Sequence, residues 1–315
     1  MQLQNTTQRE QLQLIQEGDK TQKVIARFIA EQDVKSSSKR TYQRGLKQWF
    51  VWVEEQLLDL SQITRVEVLR YKEQLLEGGL SPLTVGSYLT VLRKFYEWTE
   101  ASKLYPNVAK GVKTPRRKKQ FKKQPLSIEV SKQLLALFQG AALRDYAIVN
   151  LLLRTGLRTI EVVRADIEDI TFKQGRRVLL IQGKGKDSKD AFVILTDKSY
   201  QPISDYLESR KGHKPGEPLF TSTSNNNKGG RLTTRTVSSI AKEGLRAIGI
   251  DAKEFTAHSF RHTTAVNILR AGGTLANAQS VLRHESPATT QIYTATIEEE
   301  LRLKEAPEAL LDDVF

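Results

Sequence analysis

Between residues 113 and 125 the chain reads KTPRRKKQFKKQP, and no other stretch limits the possible folds as sharply. Seven of its thirteen residues are Lys or Arg, bracketed by Pro115 and Pro125. Like charges repel and proline lacks the amide that a helix interior needs, so a packed helix is disfavoured here and the segment reads as an interdomain linker. It divides the chain in two, and 315 residues leave each part long enough to bury a core of its own. The expected order is a leader over 1–19, an all-helical domain over 20–112, the basic linker over 113–125, a second domain over 126–297 and a tail over 298–315.

Ahead of the linker, TQKVIARFIAEQ and SSSKRTYQRGLKQWFVWVEEQL carry apolar residues at helical spacing, the second with a serine run as N-cap. ITRVEVLRYKEQLLEGG stops at Gly78 and Gly79, and SPLTVGSYLTVLRKFYEWTEASK opens with Ser81 as cap and Pro82 in the first turn. Tyr71, Tyr88 and Tyr96 fall at core spacings. Lys39, Arg40, Arg44, Lys47, Arg93 and Lys94 lie on polar faces, where they either track phosphates or simply solvate a helix.

Beyond the linker the pattern changes. SIEVSKQLLALF and RDYAIVNLLLRTG are helical, whereas VLLIQG and AFVILT are β-rich runs joined by GKGKDSKD, which implies a hairpin. TTRTVSSIAKEGLRAIG, HSFRHTTAVNILRAGG, LANAQSVLRHE and PATTQIYTAT add helices. The fold class expected is therefore mainly α, with a small antiparallel sheet confined to the C-terminal domain. In the tail, Leu310, Leu311, Val314 and Phe315 form an apolar face with no partner nearby in sequence.

Lysine and arginine number 49 against 36 acids, a net charge of +13 that favours a polyanionic partner, with nucleic acid foremost. Arg116, Arg117, Lys118, Lys119, Lys122 and Lys123 in the linker could lie along a duplex held between the domains, or merely solubilise a spacer. No apolar run approaches the ~20 residues of a spanning helix, and the polar start lacks a signal-peptide core, so no membrane partner and a cytoplasmic location are expected. The absence of cysteine excludes disulfides and thiolate metal sites. There is no phosphate-binding Gly-x-x-x-x-Gly-Lys-Ser/Thr loop either, so no nucleotide hydrolysis is expected.

Three of the four histidines, His258, His262 and His284, cluster near the C-terminus beside Arg261 and Tyr293. His258 and Arg261 are three apart on a helix and share a face on which both could grip one phosphate, although a lone His-x-x-Arg is as readily a cap and a surface arginine. Arg158 follows Gly156 at a helix start, where backbone donors and a guanidinium both favour an anion. Lys184 occupies the hairpin tip, able to reach a groove or a leaving oxygen, or simply to keep the turn soluble. Asp166, Glu168 and Asp169 read as a solvated turn, and His258 with His262 lacks the glutamate of a zinc-binding His-Glu-x-x-His, so no metal is expected and His262 reads as structural.

Taken in order, TGLRTIEV, the hairpin lysine, HSFRHT and LRHESPATTQIYT resemble the tyrosine recombinase and phage integrase family, whose patterns are Gly-Leu-Arg-x-x-Glu, His-x-x-Arg-His and Gly-His-x-x-x-x-Thr-Thr-x-x-Tyr. The likeness by motif spans the second domain. The helices and linker before it resemble the family's SAM-like core-binding domain by architecture. Two departures stand out: Arg283 where glycine usually precedes the histidine, and Thr159-Ile160 in place of a small residue and serine.

The resemblance implies a site-specific recombinase that cuts and rejoins double-stranded DNA through a 3′-phosphotyrosine at Tyr293, without metal, ATP or any cofactor. Attack on a phosphodiester builds charge on the non-bridging oxygens, which preorganised cations stabilise. Arg158 and Arg261 suit that clamp, because a guanidinium stays charged and can hold two oxygens. A phenol with a pKa of ~10 needs help to become a nucleophile. The resemblance makes His258 the base or positioning group, Lys184 the acid for the 5′ oxygen, His284 a hydrogen-bond donor to the phosphate and Glu161 an orienting group. Lys186 and Lys189 are alternatives to Lys184 in the same hairpin. The family also implies a homodimer on inverted half-sites, a homotetramer in the synapse and a tail docked on a neighbouring protomer. A nick-and-reseal topoisomerase and a catalytically silent DNA-binding protein are the competing readings.

Overall fold

The computed structural model describes residues 21–116, 124–183, 185–210, 212–283, 293, 297–298, 302–303 and 306–312. The chain divides into two compact units, Met1–Gln120 and Phe121–Phe315.

The first unit is helical: α1 (residues 21–31), α2 (Ser36–Glu55), α3 (Arg65–Glu77) and α4 (Pro82–Ala101). Local chemistry sets most of the boundaries. Thr64 accepts the Val66 amide while Glu67 accepts the Thr64 amide at 2.7 Å, closing a capping box on α3. Ser81 accepts the Thr84 amide, and Pro82 opens α4 as expected. The serine run behaves differently, because α2 is capped at Lys35 and its serines lie inside the first turn. Trp49 is fully buried at the centre of the unit, stacked on Trp52 at 5.2 Å and donating its indole N–H to Tyr96 at 3.1 Å. Gly45 lets α2 approach α4, since a Cβ there would stand 3.0 Å from Val91.

The second unit contains α5 (Ile128–Gln139), α6 (Leu143–Thr155), α7 (Thr159–Arg164), α8 (Asp197–Ser209), α9 (Thr234–Ala247), α10 (Ala257–Arg270) and α11 (Leu275–Leu282). Between α7 and α8 lies one antiparallel sheet of β1 (Ile170–Lys173), β2 (Arg176–Ile181) and β3 (Ala191–Ile194), ordered β1-β2-β3. β2 and β3 are the two β-rich runs, paired with Val178 opposite Ile194 and Ile181 opposite Ala191. Leu151, Leu152, Leu179, Ile203, Leu245 and Phe260 share the apolar core that joins these helices to the sheet. Among the described residues no helix is long and apolar enough to cross a membrane.

The acids after α7 do not form the solvated turn expected of them. The Lys189 ammonium donates to Asp166 at 2.7 Å and to Asp169 at 2.6 Å, and Arg231 donates to the other Asp166 oxygen at 2.5 Å. Asp169 is buried; of the three, only Glu168 is exposed. The carboxylates serve as counter-ions that tie the end of the β2–β3 turn to the segment after α7. Arg164, from α7, holds the start of that turn through the Gly183 carbonyl at 3.1 Å.

Two measurements check this packing. Gly244 faces α5 so closely that a Cβ would fall 2.2 Å from the Phe138 ring, so Gly244→Ala should lower unfolding stability by about 1–3 kcal/mol, the usual cost of overpacking. For Asp166, burial opposes ionisation, but the Lys189 and Arg231 hydrogen bonds outweigh it and hold the carboxyl below its usual range. Its contribution to stability is then full above the unfolded carboxyl's pKa of about 4 and is lost as pH falls through the lower folded value. In urea unfolding, Asp166→Asn should cost about 1.5–3 kcal/mol at pH 7, with the gap to wild type closing below about pH 4.

Candidate active site

The α6–α7 corner is where the site begins. Gly156 ends α6 with φ +61, a left-handed turn, and a Cβ at this position would lie 2.6 Å from Leu282 at the end of α11. Glycine thus allows the corner and α11 to touch. Arg158 then caps α7. The anion at this helix start is Glu161 itself, which accepts the Arg158 amide at 2.8 Å and the Arg158 guanidinium at 2.9 Å. Glu161 is buried to 1% exposure, and its Oε2 also accepts from the Arg283 guanidinium at 2.9 Å.

Arg261 reaches the same place from α10. The helical spacing suggested a face shared with His258, but the two side chains part: His258 is exposed, whereas Arg261 is 2% exposed. Its two terminal nitrogens donate to the carbonyls of Gly156, at 2.5 Å, and of Leu282. Burial, reinforced by the Arg158 charge and opposed by Glu161, pushes its pKa down to about 9, which still leaves it charged at neutral pH.

Tyr293 is buried against Ala265, Val266, Ala278 and Leu282. Its ring meets His262 edge-on at 5.1 Å, and His262 meets His258 in the same way at 4.9 Å. Burial raises the phenol's pKa, while the Arg261 and Arg158 charges pull it back. The fold therefore gathers Arg158, Glu161, Arg261 and Tyr293 in one part of the second unit, with the His262 ring lying between those of His258 and Tyr293. Lys184 and His284 lie outside the described residues. Of the other hairpin lysines, Lys189 is committed to Asp166 and Asp169, and Lys186 lies 3.9 Å from Asp190. Among the described residues no three His, Asp or Glu side chains converge as a metal site requires.

Sequence reasoning left the part of Arg283 open. The residue occupies a left-handed position, φ +55 and ψ +46, just after α11. Its place in a pattern that usually has glycine was the available signal, since glycine at a helix end commonly marks this conformation.

In the first unit, Arg40 and Arg44 of α2 share a concave surface with Thr41 and with Leu83, Thr84, Ser87 and Tyr88 of α4. Lys47 is exposed on α2. The remaining candidates there have protein partners: Lys39 bonds the Ala30 carbonyl, Arg93 bonds Leu89 and Thr90, and Lys94 pairs with Glu97 at 2.9 Å. Arg116 is exposed, and Arg117, Lys118, Lys119, Lys122 and Lys123 lie outside the described residues.

The model of the phage integrase family matches residues 125–300, and that of the phage integrase N-terminal SAM-like domain matches residues 25–103. Tyrosine recombinase XerC of Leptospira interrogans is 29% identical over 293 residues, covering 90% of this chain and 91% of that protein. XerC of Caldanaerobacter subterraneus is 32% identical over 219 residues, 67% of this chain and 58% of that protein. The fold is that of XerH recombinase bound to its palindromic difH substrate, with TM-score 0.70 and 21% identity over 85% of this chain and 79% of that one. A lambda integrase dimer bound to a core site gives 0.65 and 17% over 86% and 94%. With more than half of its length matched by the catalytic-domain model and its helical unit by the companion model, the chain belongs to the phage integrase family.

Proposed function

We propose that this chain is a site-specific tyrosine recombinase in which Tyr293 attacks DNA within a clamp formed by Arg158 and Arg261. The observation that carries the assignment of residues is that Tyr293 is buried in one apolar cluster with Leu282, whose carbonyl accepts from Arg261, while the other carbonyl that Arg261 holds, that of Gly156, lies two residues before Arg158. The phenol oxygen forms a bond to phosphorus as the bond to the 5′ oxygen breaks. Its proton passes to His258, and the 5′ oxygen takes a proton from Lys184. Because Lys189 is held by two carboxylates, Lys184 is the better donor of the pair. The phosphotyrosine conserves the energy of the broken bond, so a different 5′ end can be joined without ATP.

The duplex would lie on the Arg40–Arg44 surface of the first unit and on the basic connection over 113–125, with contacts to phosphates setting position rather than sequence. Residues 20–112 would form the DNA-binding domain and 126–297 the catalytic one. A dimer on inverted half-sites is in keeping with the palindromic substrate of XerH and the lambda integrase dimer bound to a core site, and two such dimers would form a tetramer in the synapse. Of the tail's apolar face, Leu311 is exposed and Val314 and Phe315 lie outside the described residues; a neighbouring protomer would cover that face. Tyr293 itself is 4% exposed, so its segment must shift before the phenol meets a phosphate.

Incubation with nicked suicide duplexes, followed by denaturing electrophoresis and sequencing of the attached DNA, should reveal a covalent adduct and its site. Tyr293→Phe should abolish the adduct; an adduct that persists would mean another nucleophile, and none with wild type would mean a silent DNA-binding protein. Arg158→Ala should slow single-turnover cleavage by about 10²-fold or more, the scale of one lost transition-state contact. Two-site recombination assayed beside supercoil relaxation should give exchange of strands; relaxation alone would make the enzyme a topoisomerase.

A further inference from the structure

Two guanidinium groups share one buried carboxylate in the second unit, and a third, that of Arg261, is held nearby on the Gly156 and Leu282 carbonyls. Arg158 and Arg283 each donate to Glu161 at 2.9 Å, and Arg261 feels the charge of all three partners. Arg283 holds this place at a conformational cost, since its φ of +55 lies where an L side chain crowds its own backbone. Its guanidinium is also spent: one terminal nitrogen donates to Glu161 Oε2 and the other to the Val281 carbonyl at 2.6 Å, with the side chain only 15% exposed. A group so engaged is not placed to grip DNA. Its effect on the site must pass through Glu161.

Charge balance gives that effect a direction. Two arginines and one glutamate leave a single net positive charge, and the third arginine raises it to two. A phosphodiester carries one negative charge and gains a second as the five-coordinate transition state forms, so the net charge of the clamp decides how far that state is favoured over bound DNA. We infer that Arg283 is a positioning residue for strand cleavage, the counter-ion of Glu161 that leaves the charges of Arg158 and Arg261 undiminished for the transition state. The inference rests on the recombinase reading above.

The test uses the full chain and a nicked duplex carrying the sequence recovered from wild-type adducts. Arg283→Met keeps the bulk and the backbone strain, whereas Arg283→Gly relieves the strain; both remove the charge. Each should slow single-turnover adduct formation by about 10- to 100-fold, as expected for one unit charge a few ångströms further out than a direct contact, with DNA affinity changed by less than about threefold. Adding Glu161→Gln to Arg283→Met restores the net charge of two and keeps an acceptor for the Arg158 amide, so the rate should return to within about fivefold of wild type. A double variant no faster than Arg283→Met would make Arg283 a mechanical strut, and an Arg283→Met rate equal to wild type would remove it from the reaction; either overturns the inference. Inorganic phosphate gives a readout independent of cleavage, because it should raise the melting temperature of wild type and of the double variant more than that of Arg283→Met. If wild type forms no adduct, the recombinase reading fails, and this phosphate series alone decides the charge balance, with equal shifts in all three overturning it.

Discussion

The second unit depends on the Arg261 guanidinium and the two backbone carbonyls it holds. Removing a cation from water is costly unless its donors find acceptors, and here Gly156 and Leu282 supply them from 105 and 21 residues away. Three segments are thereby fixed together: the α6–α7 corner that carries Arg158, the helix that carries His258, and the end of α11 from which the chain runs on to Tyr293. Gly156 makes this closure possible, because any Cβ there would strike Leu282. A buried arginine and an obligatory glycine thus solve one packing problem from two sides.

The same closure concentrates positive charge. Arg158 and Arg283 pair with a single carboxylate while Arg261 is held on two carbonyls beside them, and burial, together with the repulsion of Arg158, brings the Arg261 pKa down to about 9. Charge held in this way before a substrate arrives needs no reorganisation when negative charge develops, which is what electrostatic preorganisation means for phosphoryl chemistry. Local rules are broken at the same spot: a non-glycine residue takes a left-handed backbone, and like charges crowd together. Such violations gather at functional sites because the surrounding fold over-determines them.

Elsewhere, charge serves the scaffold. Lys189 and Arg231 neutralise Asp166 and Asp169, so the β2–β3 turn is tied down at one end by ion pairs and at the other by Arg164 on the Gly183 carbonyl. In the first unit, aromatic packing around Trp49 replaces polar bracing, and the cations lie outside, with Arg40 and Arg44 bordering a concave surface beside Thr84 and Ser87. Basic residues therefore play two parts: those that find carboxylates or carbonyls hold the fold, and those left on the surface are available to a polyanion.

Much of this was legible in the sequence because it is local. Apolar periodicity and caps such as Ser81 mark helices within a few residues of their ends, the β-rich runs VLLIQG and AFVILT around GKGKDSKD mark a hairpin, and the phrases TGLRTIEV, HSFRHT and LRHESPATTQIYT carry the resemblance to a recombinase family. The serine run misled, since a residue can be a good cap and still be drawn into the first turn when the residue before it is extended. What only the tertiary structure decided are relations between distant residues. The turning inward of Arg261 away from His258, the commitment of Lys189 to two aspartates, and the bond from Arg283 to a glutamate 122 residues away depend on which helix ends meet, and no spacing along the chain encodes that. A side chain's partners are set by the packing of whole elements, whereas its local conformation is set by its neighbours in sequence.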